Sequence, residues 1–181
     1  YMEDNNMDEL KSYFYQEILP VSRSFSENNS RLSSLSHIEN PELKGLLSSK
    51  LIRAMELGLH VELEISEPVS DFSVRPVDLG IFFDNAIEAA ENTEEKLIRF
   101  GVISSPDSLR ILLQHSAKML ECPVSRLTEW GVSSKGKHRG IGLYNARRIL
   151  DAYPQVQWDF QYENSLFIQS LTIFRNRKED L

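Results

Sequence analysis

The sequence predicts an α+β fold, with a layer of helices on a largely antiparallel sheet. Three observations carry this expectation. Apolar residues recur at helical spacing over 41–57, 76–92 and about 140–152. Five stretches alternate apolar and polar residues with period two, as half-buried strands do. The strands mostly follow one another as hairpins, so regular βαβ alternation is absent.

The totals set bounds. Of 181 residues, 41% are hydrophobic, which suffices for one ordinary core plus an appendage. A net charge of −7 argues against a nucleic-acid or anionic-membrane partner, since both need a basic footprint. Cys122 is the one cysteine, so no internal disulfide forms. No apolar run approaches the roughly 20 residues that cross a bilayer. The sequence opens on Tyr1 rather than Met, so a longer chain is expected, with any membrane segment upstream.

Residues 6–36 read as broken helix. Leu10, Tyr13, Phe14, Ile18 and Val21 form a stripe, Pro20 interrupts it, and a Ser/Asn-rich stretch follows. Asn40-Pro41 is a helix start, a capping side chain ahead of a proline at the first helical position. Leu43, Leu46, Leu47, Leu51, Ala54 and Leu57 continue that helix, and Gly58 ends it. LHVELEIS is a strand, and FSV (72–74) is expected as a short second one. Pro76 opens the next helix, which runs to about Asn92. KLIRFGVIS and SLRILLQHS form a hairpin across SPD. Residues 117–139 lack periodicity, a helix follows at about 140–152, and QVQWDFQY and SLFIQSLTIF pair across EN.

Two places carry chemistry. In DLGIFFDNAIEAAEN (78–92), Leu79, Phe82, Phe83, Ala86, Ile87 and Ala90 share the face that packs on the sheet. Asn85 lies beside its edge, a position where helices disfavour an amide. Its carbonyl oxygen, with Asp84 or Glu88, suits Mg²⁺, which takes hard oxygen ligands and is often shared with phosphates. Periodicity alone favours the other reading, a solvated polar face with Asn85 hydrogen-bonded locally. In GKHRGIGLYNARRIL (136–150), Gly136, Gly140 and Gly142 leave backbone N–H groups open to an anion at a helix start. Lys135, Lys137, His138 and Arg139 add positive charge there. A phosphate cradle explains this; so does a Gly-capped helix behind solvated lysines. The spacing matches neither the P-loop nor the dinucleotide fingerprint.

Together and in this order, DNAIEAAEN and SSKGKHRGIGLYNARRIL resemble the N box and second glycine box of the ATP-binding domain of histidine kinases. That domain belongs to the GHKL superfamily, with the Bergerat two-layer fold. The wording is most similar to the peptide-pheromone-sensing (quorum-sensing) kinases. The resemblance covers about 38–175, and it implies an ATP-binding catalytic domain at 38–181. Segment 1–37 is then the helical end of a dimerisation and phosphoacceptor domain.

Several roles are implied by the resemblance. Asn85 holds Mg²⁺ on ATP, and Glu88 or Asp84 lies near the γ-phosphate. Lys135, Gly136, Lys137, His138, Arg139, Gly140 and Gly142 cradle the phosphates. His115 and Ser116 stand by the nucleotide where the family's Asp-x-Gly-x-Gly box, which reads adenine, has no counterpart here. Ile81 replaces a second Asn. His37 reads as a packing or surface residue and His60 as structural, so the acceptor histidine is expected upstream of Tyr1. The implied protein is a homodimeric protein-histidine kinase joined through upstream helices. It is a cytoplasmic domain of an integral membrane protein, with a response regulator as partner. An alternative is a degenerate module that only dimerises and docks that regulator.

Overall fold

The computed structural model describes residues 32–70, 72–120, 122–129 and 142–175. The chain divides at Ser33/Ser34, and all α-helices and strands below lie in the second unit. The expected helix over 6–36 falls almost wholly outside the described residues; its end, Ser33–His37, is a 3-10 turn.

Helix α1 runs Pro41–Glu56. The Oδ1 of Asn40 accepts the Leu43 N–H at 3.0 Å, and Pro41 occupies the first turn. At its other end Leu59 N–H reaches the Ala54 carbonyl and Gly58 N–H the Met55 carbonyl, at 3.0 and 2.9 Å. This double closure needs a left-handed residue, and Gly58 supplies φ +76°. Leu43, Leu47, Leu51 and Ala54 are buried along one stripe. Truncating Leu47, which is fully enclosed, would cost about 2–5 kcal/mol.

The remaining elements are β1 His60–Ile65, α2 Pro76–Glu91, β2 Leu97–Ser104, β3 Ser108–Ser116, α3 Gly142–Leu150, β4 Val156–Glu163 and β5 Leu166–Phe174. The sheet order is β1-β2-β3-β5-β4. β1 pairs parallel with β2, and every other pair is antiparallel. The turn joining β4 to β5 is Asn164-Ser165, both at positive φ as tight hairpins require. Residues 72–74 form no strand. Three residues of alternation do not secure a partner, and the isolated pairing made here is instead Ile38 with Val69.

The core lies between the helices and one sheet face. α2 delivers Leu79, Phe82, Phe83, Ala86, Ile87 and Ala90, all at most 3% exposed. Phe83 packs on Phe100 of β2 and Phe82 on Trp158 of β4, with ring centres 5.1 and 5.4 Å apart. A smaller cluster of Ala117, Leu127 and Phe167 takes in Leu143 at the start of α3. No described helix is long and apolar enough to cross a membrane.

Candidate functional site

Helix α2 has two flanks beside its buried face. One faces α1. There Lys50 Nζ lies 2.6 Å from Asp84 Oδ1, with Arg53 at 4.0 Å. A Cβ on Gly80 would touch the same Lys50 stem at 3.8 Å. The other flank carries Asn85, about 100° around the helix from Asp84, and it faces α3.

The backbone of Gly142, first residue of α3, comes against the Asn85 amide so closely that a side chain is excluded. A Cβ built there would stand 2.8 Å from Nδ2 and 2.9 Å from Cγ, and closer still to Oδ1. Asn85 is half-buried, yet its Nδ2 is enclosed and has no hydrogen-bond partner. A buried amide donor without a partner carries a desolvation cost of about 1–3 kcal/mol. A helix start adds the positive end of its dipole to the same spot. An orphaned amide, a bare backbone and a helix N-terminus together form a seat for a group that brings its own oxygens. Asn85 and Gly142 therefore fit a metal-bound phosphate.

The other residues singled out in the sequence divide clearly. Glu88 is half-buried and stands one turn from Asn85, while Asp84 is exposed and engaged with α1. Among the described residues no group of three His, Cys, Asp or Glu is placed to hold a metal by itself. Lys135, Gly136, Lys137, His138, Arg139 and Gly140 lie outside the described residues. His115 is 4% exposed, with Nδ1 3.0 Å from the Ser116 carbonyl and its ring 5.4 Å from that of Phe167. Ser116 is enclosed, and its hydroxyl lies 2.7 Å from Thr93 Oγ1 and accepts Leu97 N–H at 3.0 Å. Those bonds fasten the turn between α2 and β2. His37 Nδ1 is hydrogen-bonded to the Ile65 carbonyl, and His60 Nε2 lies 3.2 Å from Glu62.

Sequence reasoning missed what holds α2 and α3 in register. Arg75, just ahead of α2, forks onto Asp78 with Nε–Oδ2 2.9 Å and Nη2–Oδ1 3.1 Å. Tyr153, beyond α3, donates its hydroxyl proton to the same carboxylate and accepts the Arg75 backbone N–H at 3.3 Å. Burial pushes the Asp78 carboxyl up. The hydrogen bonds from Tyr153 and Arg75 and the Arg75 charge outweigh that and hold it below the ordinary carboxylate value. The same contacts raise the Arg75 guanidinium further. A carboxylate in the first turn of a helix is a recognisable signal; its tyrosine, 75 residues away, is not.

Comparison with known proteins agrees with this architecture. Residues 72–174 match the family model described as GHKL domain. A curated relative from Bacillus subtilis (strain 168), "Probable C4-dicarboxylate sensor kinase", is 30% identical over 124 residues, 63% of this chain. The chain spans 23% of that protein's length. Among solved structures, the nucleotide-free catalytic domain of histidine kinase ThkA aligns with a TM-score of 0.60 at 14% identity, covering 75% of this chain and 91% of that one. The Acinetobacter baumannii histidine kinase AdeS aligns at 0.56 with 16% identity, over 90% of this chain and 84% of its own. Full-length ShkA in complex with AMPPNP aligns at 0.56 with 18% identity, over 73% of this chain and 29% of its own. The likeness is one of fold: helices on a five-stranded mixed sheet, as in histidine-kinase catalytic domains. The matched segment runs from the turn before α2 to the last residue of β5 and takes in both sides of the Asn85–Gly142 contact. On that match the chain belongs to the GHKL family.

Proposed function

We propose that this chain is the Mg-ATP-binding catalytic part of a sensor histidine kinase, handing the γ-phosphoryl group to a histidine upstream of Tyr1. The observation that carries the reading is the unpartnered amide nitrogen of Asn85 against the bare backbone of Gly142. Bound nucleotide would supply the phosphoryl group, with Mg²⁺ to neutralise its charge. The chain's own task is positioning and electrostatics, which is most of what phosphoryl transfer asks of a protein. Asn85 would hold the metal through its amide oxygen, a hard ligand of the kind Mg²⁺ takes. Gly142, lacking a side chain, lets the start of α3 and its backbone come against Asn85, which sets the positive end of that helix beside the amide. Lys135, Gly136, Lys137, His138, Arg139 and Gly140 extend the cradle, Glu88 orders the γ-phosphate end, and His115 borders the nucleotide, while the Ser116 hydroxyl fastens the turn between α2 and β2 behind it.

The wider protein follows from the same reading. Segment 1–37 is the end of a dimerisation and phosphoacceptor domain, the kinase works as a homodimer, and a response regulator receives the phosphoryl group. The wording of the two boxes supports a peptide pheromone as the signal. The Bacillus subtilis relative is named for a different signal, a C4-dicarboxylate.

The test is calorimetric titration and thermal unfolding of the 181-residue chain with Mg-AMPPNP. Nucleotide at 100 times its Kd should stabilise by about 2.7 kcal/mol. No shift at millimolar nucleotide would reject nucleotide binding and leave the alternative, a module that only dimerises and docks the regulator.

A further inference from the structure

Strand β5 sends Phe167, Gln169, Leu171 and Ile173 to the helix-facing side of the sheet, and all four are at most 4% exposed. Gln169 is the polar one. Its side chain is enclosed at 1% exposure, and neither its Oε1 nor its Nε2 has a hydrogen-bond partner. A core position in the middle of a strand ordinarily takes an apolar residue, because an unpaired amide there is costly. The indole N–H of Trp158, diagonal to Gln169 across β4, is unpaired as well, so the two groups have not satisfied each other.

The surroundings of Gln169 are aromatic. It stands opposite Phe160 on β4 and Leu113 on β3. Phe160 and Phe167 stack at 30° to one another with ring centres 6.0 Å apart, and His115 adjoins Phe167 at 5.4 Å. Phe82 of α2, Trp158 and Phe160 continue the series at 5.4 and 4.9 Å. Ring contacts thus run without a break from the helix that carries Asn85 to the strand that carries His115. A shelf of rings with one unspent carboxamide is the chemistry that receives a planar heterocycle: faces stack, and the amide pairs with the edge. A carboxamide offers one donor and one acceptor side by side, which matches the N6 amine and a neighbouring ring nitrogen of adenine.

We propose that Gln169 reads the adenine base of the nucleotide, supplying the paired donor and acceptor that the missing Asp-x-Gly-x-Gly box does not. This rests on the nucleotide-binding reading above and adds to it a base-specific contact on β5. Gln169 is a binding residue for the purine edge; the phosphate end remains with Asn85 and Gly142.

The experiment compares Mg-ATP, Mg-GTP and the Mg complex of purine riboside triphosphate, which lacks the N6 amine, by calorimetric titration of the 181-residue chain. The same ligands are titrated against Q169L and Q169M. Wild type should bind ATP roughly tenfold to a hundredfold more tightly than the purine analogue. Both variants should lose that preference while keeping the analogue's affinity. The ligand-free Q169L protein should melt at or above the wild-type temperature, because an apolar isostere removes an unpaired amide. Equal binding of ATP and the analogue by wild type overturns the proposal without any variant. An undiminished ATP preference in Q169L or Q169M also overturns it, and leaves Gln169 as a core amide satisfied by buried water. If wild type binds no nucleotide at all, the nucleotide-binding reading itself fails and takes this inference with it.

Discussion

Asn85 on α2 and Gly142 at the start of α3 meet as side chain against bare backbone, at a distance that no β-carbon tolerates. The two residues lie 57 positions apart, yet each has the shape it has because of the other. An alanine at 142 would push the start of α3 off α2. Gly142→Ala should therefore destabilise the fold by about 1–3 kcal/mol, the usual range for overpacking, and weaken Mg-nucleotide binding at least tenfold. Chemical denaturation reads the first effect and calorimetry the second. Adding Asn85→Ala to Gly142→Ala should recover the stability and leave binding weak.

Asn85→Ala alone separates function from folding. The amide has an enclosed nitrogen without a partner, so its loss should leave stability within about 1 kcal/mol of wild type, or raise it. The magnesium dependence of nucleotide affinity should disappear. A variant that melts far below wild type would show that the amide is structural instead.

The two carboxylates flanking Asn85 should behave differently. Asp84 is half exposed and ion-paired with Lys50 of α1. Exposed pairs contribute about 0–1 kcal/mol, so Asp84→Ala should barely change melting and should shift nucleotide affinity less than twofold. Glu88→Gln, one turn from Asn85, should lower phosphoryl-transfer rate more than affinity. Equal effects of the two on transfer rate would contradict the flank assignment.

Acid should loosen the α2–α3 contact through Asp78. Its carboxyl titrates below the ordinary value of about 3.9 because Tyr153 and Arg75 hold the charged form. A depressed carboxylate contributes stability that is fully present above the unfolded-state value and is lost as pH falls through the folded one. Tyr153→Phe should cost about 1–3 kcal/mol at neutral pH, as expected for a lost hydrogen bond to a buried charged group. The gap between wild type and variant should close as pH falls below about 4. Thermal unfolding across pH 2–7 measures it; a gap independent of pH would remove Asp78 from the explanation.

The sequence by itself determined what short-range physics decides. Asn40-Pro41 and Gly58 set the bounds of α1 because a cap bond and a left-handed residue involve neighbours only. The buried face of α2 was legible from its periodicity, and the α+β class followed from hairpins mixed with helices. The two boxes were legible as motifs, and with them the family. Tertiary structure alone decided the rest, because it depends on which neighbour arrives. On the helix wheel Asp84 and Asn85 adjoin the same exposed arc; α1 claims one and α3 backs onto the other. Residues 72–74 have a strand's alternation without a strand's partner, and Ser116 has a ligand's hydroxyl already spent on a turn. Tyr153 reaches Asp78, and Gln169 lies unpaired among rings, only once five strands have closed beneath three helices. Local patterns fix what each segment becomes, while burial and pairing between distant segments fix which of its side chains remain available for chemistry.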